Sequence, residues 1–224
     1  MIVRKLKDLD EIRDIIGDSA VVIIGCAGCY GEGGLKNVDE VAAALKSKGV
    51  KIIGRGVTGR QCGWIRRMRE KGLEEKDEAE IVAGFLQLKK EDIEKADILL
   101  SMACGVGAQT LSKIAESKLV APAFNTEFMG RKEEEMFYEQ CIGCGNCIIH
   151  LTGGICPVTG CPKSDMNGPC GGVYSGKCEV ERSNDCVWSV IYRRLKDMKR
   201  LDLLKKQKLP KDFSIRTHPR KEKV

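Results

Sequence analysis

Cysteine dominates the chemistry open to this chain. The sequence holds twelve cysteines and only two histidines. Eight of the twelve fall between Cys141 and Cys186, in CIGCGNCIIHLTGGICPVTGCPKSDMNGPCGGVYSGKCEVERSNDC. Cys141, Cys144 and Cys147 stand at x2, x2 spacing, tight enough for each short loop to aim a thiolate at a different corner of an iron–sulfur cube. Cys156 and Cys161 each precede a proline. The segment carries little apolar material, so metal–thiolate bonds rather than a hydrophobic core are expected to fold it.

Eight thiols suit two four-thiolate sites, each zinc or [4Fe–4S]. The bacterial ferredoxin run continues with x3-Cys-Pro, whereas eight residues separate Cys147 from Cys156 here. The fourth ligand of the first centre is therefore open among Cys156, Cys161, Cys170, Cys178 and Cys186. The grouping taken forward joins Cys141, Cys144, Cys147 and Cys186, leaving Cys156, Cys161, Cys170 and Cys178 for the other centre. His150 is read as a surface residue or a neighbour of the ligands. The Cys-x3-Cys-x2-Cys pattern of radical chemistry is absent.

The other four cysteines gain their meaning from the elements that must carry them. Ala20–Gly25, Val50–Gly54, Ala96–Ala103 and Leu119–Phe124 are short aliphatic runs of the kind buried in parallel sheets. Helical stretches are expected between them, at Val38–Ser47, Trp64–Lys71, Asp77–Lys95 and Ala108–Ser117. This rhythm predicts a small doubly wound α/β domain over residues 1–130. Residues 2–17 read as a leading amphipathic helix, and Glu127–Gln140 as a charged helical connector. Cys26 and Cys29 then follow the first strand, Cys62 the second and Cys104 the third. Open parallel sheets bind ligands beyond the carboxyl ends of their strands, so these four thiols are expected to converge on one metal site. A single cysteine there would be ordinary core packing. The glycines of Gly25–Gly34 match neither the dinucleotide fingerprint nor a phosphate loop.

A cysteine-rich, loop-rich metal-binding domain is expected over 131–192, and a basic extension over 193–224. From Arg193 onward there are thirteen Lys or Arg and four Asp or Glu. A solvated arm or a strap on a partner explains that charge; no reading helix argues for nucleic acid. No apolar run is long enough to span a membrane. The amino-terminal stretch lacks the apolar core of a signal peptide, which points to the cytoplasm and to metal-bound rather than disulfide-bonded cysteines. No acid–base pair or nucleophile constellation is visible, which suits electron carriage better than catalysis.

The string CPKSDMNGPCGG, followed by GKCEV and CVW, resembles the cysteine-rich C-terminal domain of methylenetetrahydrofolate reductase. With its Cys-x2-Cys front half, the chain over about residues 1–195 resembles the small subunit of the two-subunit, acetogen-type reductase, the basic tail lying outside. The resemblance implies a non-catalytic electron-transfer subunit with one to three [4Fe–4S] clusters and zinc as a further metal. It implies a separate flavin-containing methylenetetrahydrofolate reductase catalytic subunit as partner, in one-carbon metabolism. Docking to a larger electron-bifurcating or ferredoxin-linked assembly is also implied. Two alternatives stand beside it: a zinc-binding scaffold that carries no electrons, and a redox subunit of another oxidoreductase.

Overall fold

The computed structural model describes residues 2–29, 35–133, 136–212, 214 and 218–219. The chain divides into two compact units, Met1–Phe128 and Met129–Val224.

In the first unit the order is β1 (Ile2–Leu6), α1 (Leu9–Ile16), β2 (Ala20–Cys26), α2 (Leu35–Ser47), β3 (Lys51–Thr58), α3 (Trp64–Glu70), α4 (Glu78–Leu86), α5 (Lys90–Lys95), β4 (Ile98–Met102), α6 (Gly105–Ser112) and β5 (Leu119–Pro122). Four strands form a parallel sheet in the order β3-β2-β4-β5. Every residue of β2 and β4 is buried, so these strands must be apolar on both faces. Alternation divides them cleanly. Val21 and Ile23 face a core built with Ile12 and Ile16 of α1 and Val38, Val41 and Leu45 of α2. Val22 and Ile24 face the opposite core, with Trp64, Val82, Leu86, Ile93 and Leu111. Helices thus cover both faces, as the strand–helix rhythm predicts.

The sheet order has a functional consequence. From β2 the chain winds outward to β3, then crosses to β4 on the other side of β2 and winds outward to β5. The reversal lies between β2 and β4, and a crevice opens at their carboxyl ends in this topology.

Two local expectations fail. Residues 2–17 are not one helix but β1 and then α1. The Asp8 side chain accepts the Asp10 amide and caps α1, which stops the helix from extending backward. Upstream of that cap, Val3 and Arg4 are both buried. The charged stretch 127–140 is not helical either. It contributes to β6 (Phe124–Glu133) and to β7 (Met136–Cys141), which pair antiparallel. Arg131 lies opposite Tyr138 and Lys132 opposite Phe137, with each cation over the facing ring. Cross-strand cation–aromatic pairs of this kind let a charged sequence form a sheet.

The second unit continues through α7 (Pro157–Gly160) and α8 (Val187–Asp197) to a single-turn helix at Leu201–Lys205. Its core is small: Cys186, Trp188, Ile191, Leu195 and Leu203, with partly buried leucine, isoleucine and valine around them. Residues beyond 193 are not a free arm as far as they are described. The Asn167 amide bonds the backbone of Lys208 in both directions, at 2.9 and 2.8 Å. Lys208 and Lys211 are both buried.

Candidate metal centres

The first four cysteines sit where the sheet topology would put them. Cys26 is the last residue of β2, level with Thr58 of β3. Cys29 follows three residues later, at φ +59. That left-handed backbone costs a non-glycine residue of the order of 1 kcal/mol and aims the side chain away from a continued strand. Cys62 lies in a single helical turn, Gln61–Gly63, after β3. Cys104 caps α6 just beyond β4. The glycine-rich Tyr30–Gly34 lies outside the described residues.

Packing forces these loops together. A Cβ on Gly28 would stand 2.7 Å from Arg60 Cγ and 3.1 Å from its Cα, so the Cys26–Cys29 loop rides directly on the exit of β3. Cys26 Sγ donates to the Gly59 carbonyl at 3.5 Å. The turn carrying Cys62 is anchored on both sides. Gln61 is fully buried and accepts from the Ser101 hydroxyl of β4 at 2.8 Å. Trp64 is fully buried, donates to Thr58 Oγ1 at 3.0 Å and stacks on Phe85. On the other side a Cβ on Gly107 would lie 2.7 Å from Ala103 Cβ and 3.1 Å from Gln61 Cβ. Gly107→Ala is therefore expected to push the turn bearing Cys62 away from α6. A loss of about 1–3 kcal/mol in a denaturant melt, typical of overpacking, checks it.

The Cys62 thiol feels the other three cysteines. Burial pushes the Cys62 thiol up, and the sulfurs of Cys104, Cys26 and Cys29 push it further, while its own backbone hydrogen bond works in the opposite direction. Cys62 is exposed as a residue, so the burial contribution is partial. Repulsion among like thiolates is the informative part, because it names all three expected companions.

The thiols are neighbours without being at ligating distance. Among the described residues, no group of three or more His, Cys, Asp or Glu is close enough to hold a metal ion. Two observations nonetheless fit a metal–thiolate group at the first unit. The donors are all sulfur, a set that thiophilic metals take. Among the described residues only two buried side-chain nitrogens have no hydrogen-bond partner, Arg4 Nε and Gln61 Nε2. Both belong to residues that touch the elements carrying these cysteines.

The second unit carries the other eight cysteines. Cys141 ends β7, and its sulfur accepts the Gly143 amide at 3.3 Å. Gly143 and Gly145 have φ of +62 and +76, a conformation that turns the chain sharply between Cys141, Cys144 and Cys147. Burial pushes the Cys144 thiol up, but a backbone hydrogen bond at Asn146 and the Lys211 ammonium outweigh it, and the net shift is downward. Lys211 also donates to the Asn146 carbonyl. A cation from the basic segment therefore bonds the Cys-x2-Cys-x2-Cys loop, whereas charge counting reads that segment as a solvated arm or a strap on a partner.

Cys161, Cys170, Cys178 and Cys186 line one cavity of about 20 Å³. That is room for a single water-sized body. Cys186 also caps α8 and lies in the small core. Cys186 therefore borders the same cavity as Cys161, Cys170 and Cys178, whereas the sequence reading joins it to Cys141, Cys144 and Cys147. Cys156 caps α7 and is not among the residues lining that cavity. His150 lies in a single helical turn, Ile149–Leu151, with no cysteine partner given to it among the described residues.

No helix among the described residues is long and apolar enough to cross a membrane. No curated protein and no solved structure matches the chain. A family model does match residues 121–214, and its description is methylene-tetrahydrofolate reductase C terminal. The matched span lies further toward the C-terminus than the resemblance over 1–195: it takes in all eight clustered cysteines and runs through the basic segment. Over residues 121–214 the chain is similar to the family described as methylene-tetrahydrofolate reductase C terminal.

Proposed function

We propose that this chain is an electron-transfer subunit associated with methylenetetrahydrofolate reductase. Its first unit holds a [4Fe–4S] cluster on Cys26, Cys29, Cys62 and Cys104. Electrons pass from this centre, with those of the second unit, to the flavin of a separate catalytic subunit. The observation that supports the reading is the placement of Cys26, Cys29, Cys62 and Cys104 just after the carboxyl ends of β2, β3 and β4, with the Gly28 loop packed on Arg60 and the Gln61 turn bonded to Ser101. Four cysteines from three strand ends, with no carboxylate among them, make a ligand set for a cluster or a closed zinc site and not for an open catalytic metal. The match over residues 121–214 supplies the reductase context.

In the second unit we assign Cys161, Cys170, Cys178 and Cys186 to one mononuclear metal, with zinc as the ion that suits four thiolates and a one-atom cavity. Cys141, Cys144, Cys147 and Cys156 then form the remaining set. This assignment also favours the second reading in part: a structural zinc can staple a scaffold without carrying electrons.

Anaerobic purification with iron, zinc and acid-labile sulfide analysis tests the proposal. Iron and sulfide in equal amounts, with electrons delivered on mixing to a flavin-containing methylenetetrahydrofolate reductase subunit, are expected. A protein with zinc alone, and no iron after anaerobic reconstitution, leaves the scaffold as the correct reading.

A further inference from the structure

Arg4 is an anomaly in the first unit. It is 7% exposed and lies on β1, far from the surface position that a guanidinium ordinarily takes. Among the described residues it makes no ion pair. One terminal nitrogen donates to the carbonyl of Cys26 at 2.8 Å, the guanidinium lies 5.2 Å from the centre of the Phe124 ring, and Nε has no partner. A buried charge with no counter-charge is expensive, and proteins keep one only where an opposite charge is supplied. Lysine or arginine on a surface strand would have avoided the cost.

The position of Arg4 suggests what supplies that charge. The Cys26 carbonyl oxygen and the Cys26 sulfur are separated by four covalent bonds of the same residue. A guanidinium bonded to the one is therefore a near neighbour of whatever the other ligates. Gln61, the residue before Cys62, carries the only other unpartnered buried side-chain nitrogen among the described residues, at Nε2. Its Oε1 is already committed to Ser101, so its N–H groups remain available. Two unspent donors, one of them cationic, thus border a set of four thiols.

We propose that Arg4 is the buried counter-charge of the first unit's metal–thiolate centre and sets its reduction potential. This rests on the cluster reading given above. On reduction one electron enters the cluster from an external low-potential donor, the cluster gains one negative charge, and no bond breaks and no proton moves. A fixed positive charge nearby stabilises the more negative state, so Arg4 raises the potential. Arg4 neither ligates the metal nor takes part in electron transfer itself. It tunes the centre through its charge and orients the Cys26 loop through the carbonyl bond.

The test uses the full chain purified anaerobically, with dithionite redox titration followed by electron paramagnetic resonance. The signal lost in Cys62→Ala is assigned to the first unit. Arg4→Gln keeps a donor for the Cys26 carbonyl and removes the charge. It is expected to retain iron and sulfide and to lower the potential at least tenfold in the reduction equilibrium, about 59 mV for a one-electron couple. Arg4→Lys keeps the charge and is expected to stay within about threefold of the parent protein, or about 30 mV on the same scale. A potential unmoved in Arg4→Gln overturns the proposal. So does Arg4→Lys displaced by tenfold or more, because shape and not charge would then be responsible. If Arg4→Gln does not assemble the cluster, the Arg4→Lys arm decides alone. A parent protein that binds no iron instead removes the cluster reading itself, a result distinct from either.

Discussion

On the proposed cluster, Cys62→Ala is expected to cost the first unit about four iron atoms per chain, the content of one cubane, and to leave its sheet folded. The two halves of this expectation come from different residues. Cys62 is exposed, and the turn that presents it is held by its neighbours, Gln61 against Ser101 and Trp64 against Thr58 and Phe85. Removing one exposed sulfur leaves all of those contacts in place. The change in unfolding free energy should stay within about 0.5 kcal/mol, the range of surface substitutions. The proposed cluster has no such redundancy. Its fourth thiolate comes from the only cysteine in the β3–β4 connection, and no histidine or further cysteine lies in Met1–Phe128 to replace it. Iron and sulfide analysis beside a urea melt reads both halves. Unchanged iron would break the assignment of Cys62. Lost iron together with a collapsed melt would show a centre that folds the domain, not one added to a preformed sheet.

The legible part of this molecule was the part written in aliphatic runs. AVVIIG and ILLSM could be read as buried parallel strands because no other element needs apolar residues on both faces. Their order then fixed where Cys26 and Cys104 had to emerge. β1 was missed because IVRKL is short and its fourth position in the chain is a buried arginine, which hydropathy counts as surface. No pattern in the sequence marks that arginine; its burial depends on Phe124 and the Cys26 carbonyl, both distant in the chain. The β6–β7 hairpin was missed for a similar reason. Its cross-strand pairs join a cation to an aromatic ring, so neither strand shows the apolar alternation that identifies a half-buried sheet. In the second unit the count of eight thiols is legible in the sequence, whereas the small cavity that four of them border is not. Spacing orders ligands along the chain, but Cys186 reaches Cys161, Cys170 and Cys178 through α8 and its core, a tertiary constraint.

That grouping carries the other large effect. In Cys178→Ser the second unit should lose the zinc proposed for it and most of its stability, while the first unit keeps both of its cores. Among the described residues the core cluster of the second unit is small, built on Trp188, Ile191, Leu195, Leu203 and Cys186 itself. α8 presents Trp188, Ile191 and Leu195 to that core from a cap residue that also lines the cysteine cavity. The metal and the helix therefore share an anchor, and removing the metal frees the helix. Structural zinc contributes about 10–16 kcal/mol to the folding of small zinc domains, far more than the hydroxyl-for-thiol exchange could recover. The chain has two tryptophans, and they lie in different units. Trp188 donates to the Asp165 carbonyl at 2.9 Å and lies under the Lys208 ammonium, whereas Trp64 is fully buried in the first unit. Fluorescence of Cys178→Ser should show one red-shifted component that disappears in the Cys178→Ser, Trp188→Phe double variant, beside an unmoved component from Trp64. A zinc content and an emission spectrum equal to those of the parent protein would instead mean that the core around Ile191 is self-sufficient and that the four thiols meet at the cavity only as packing.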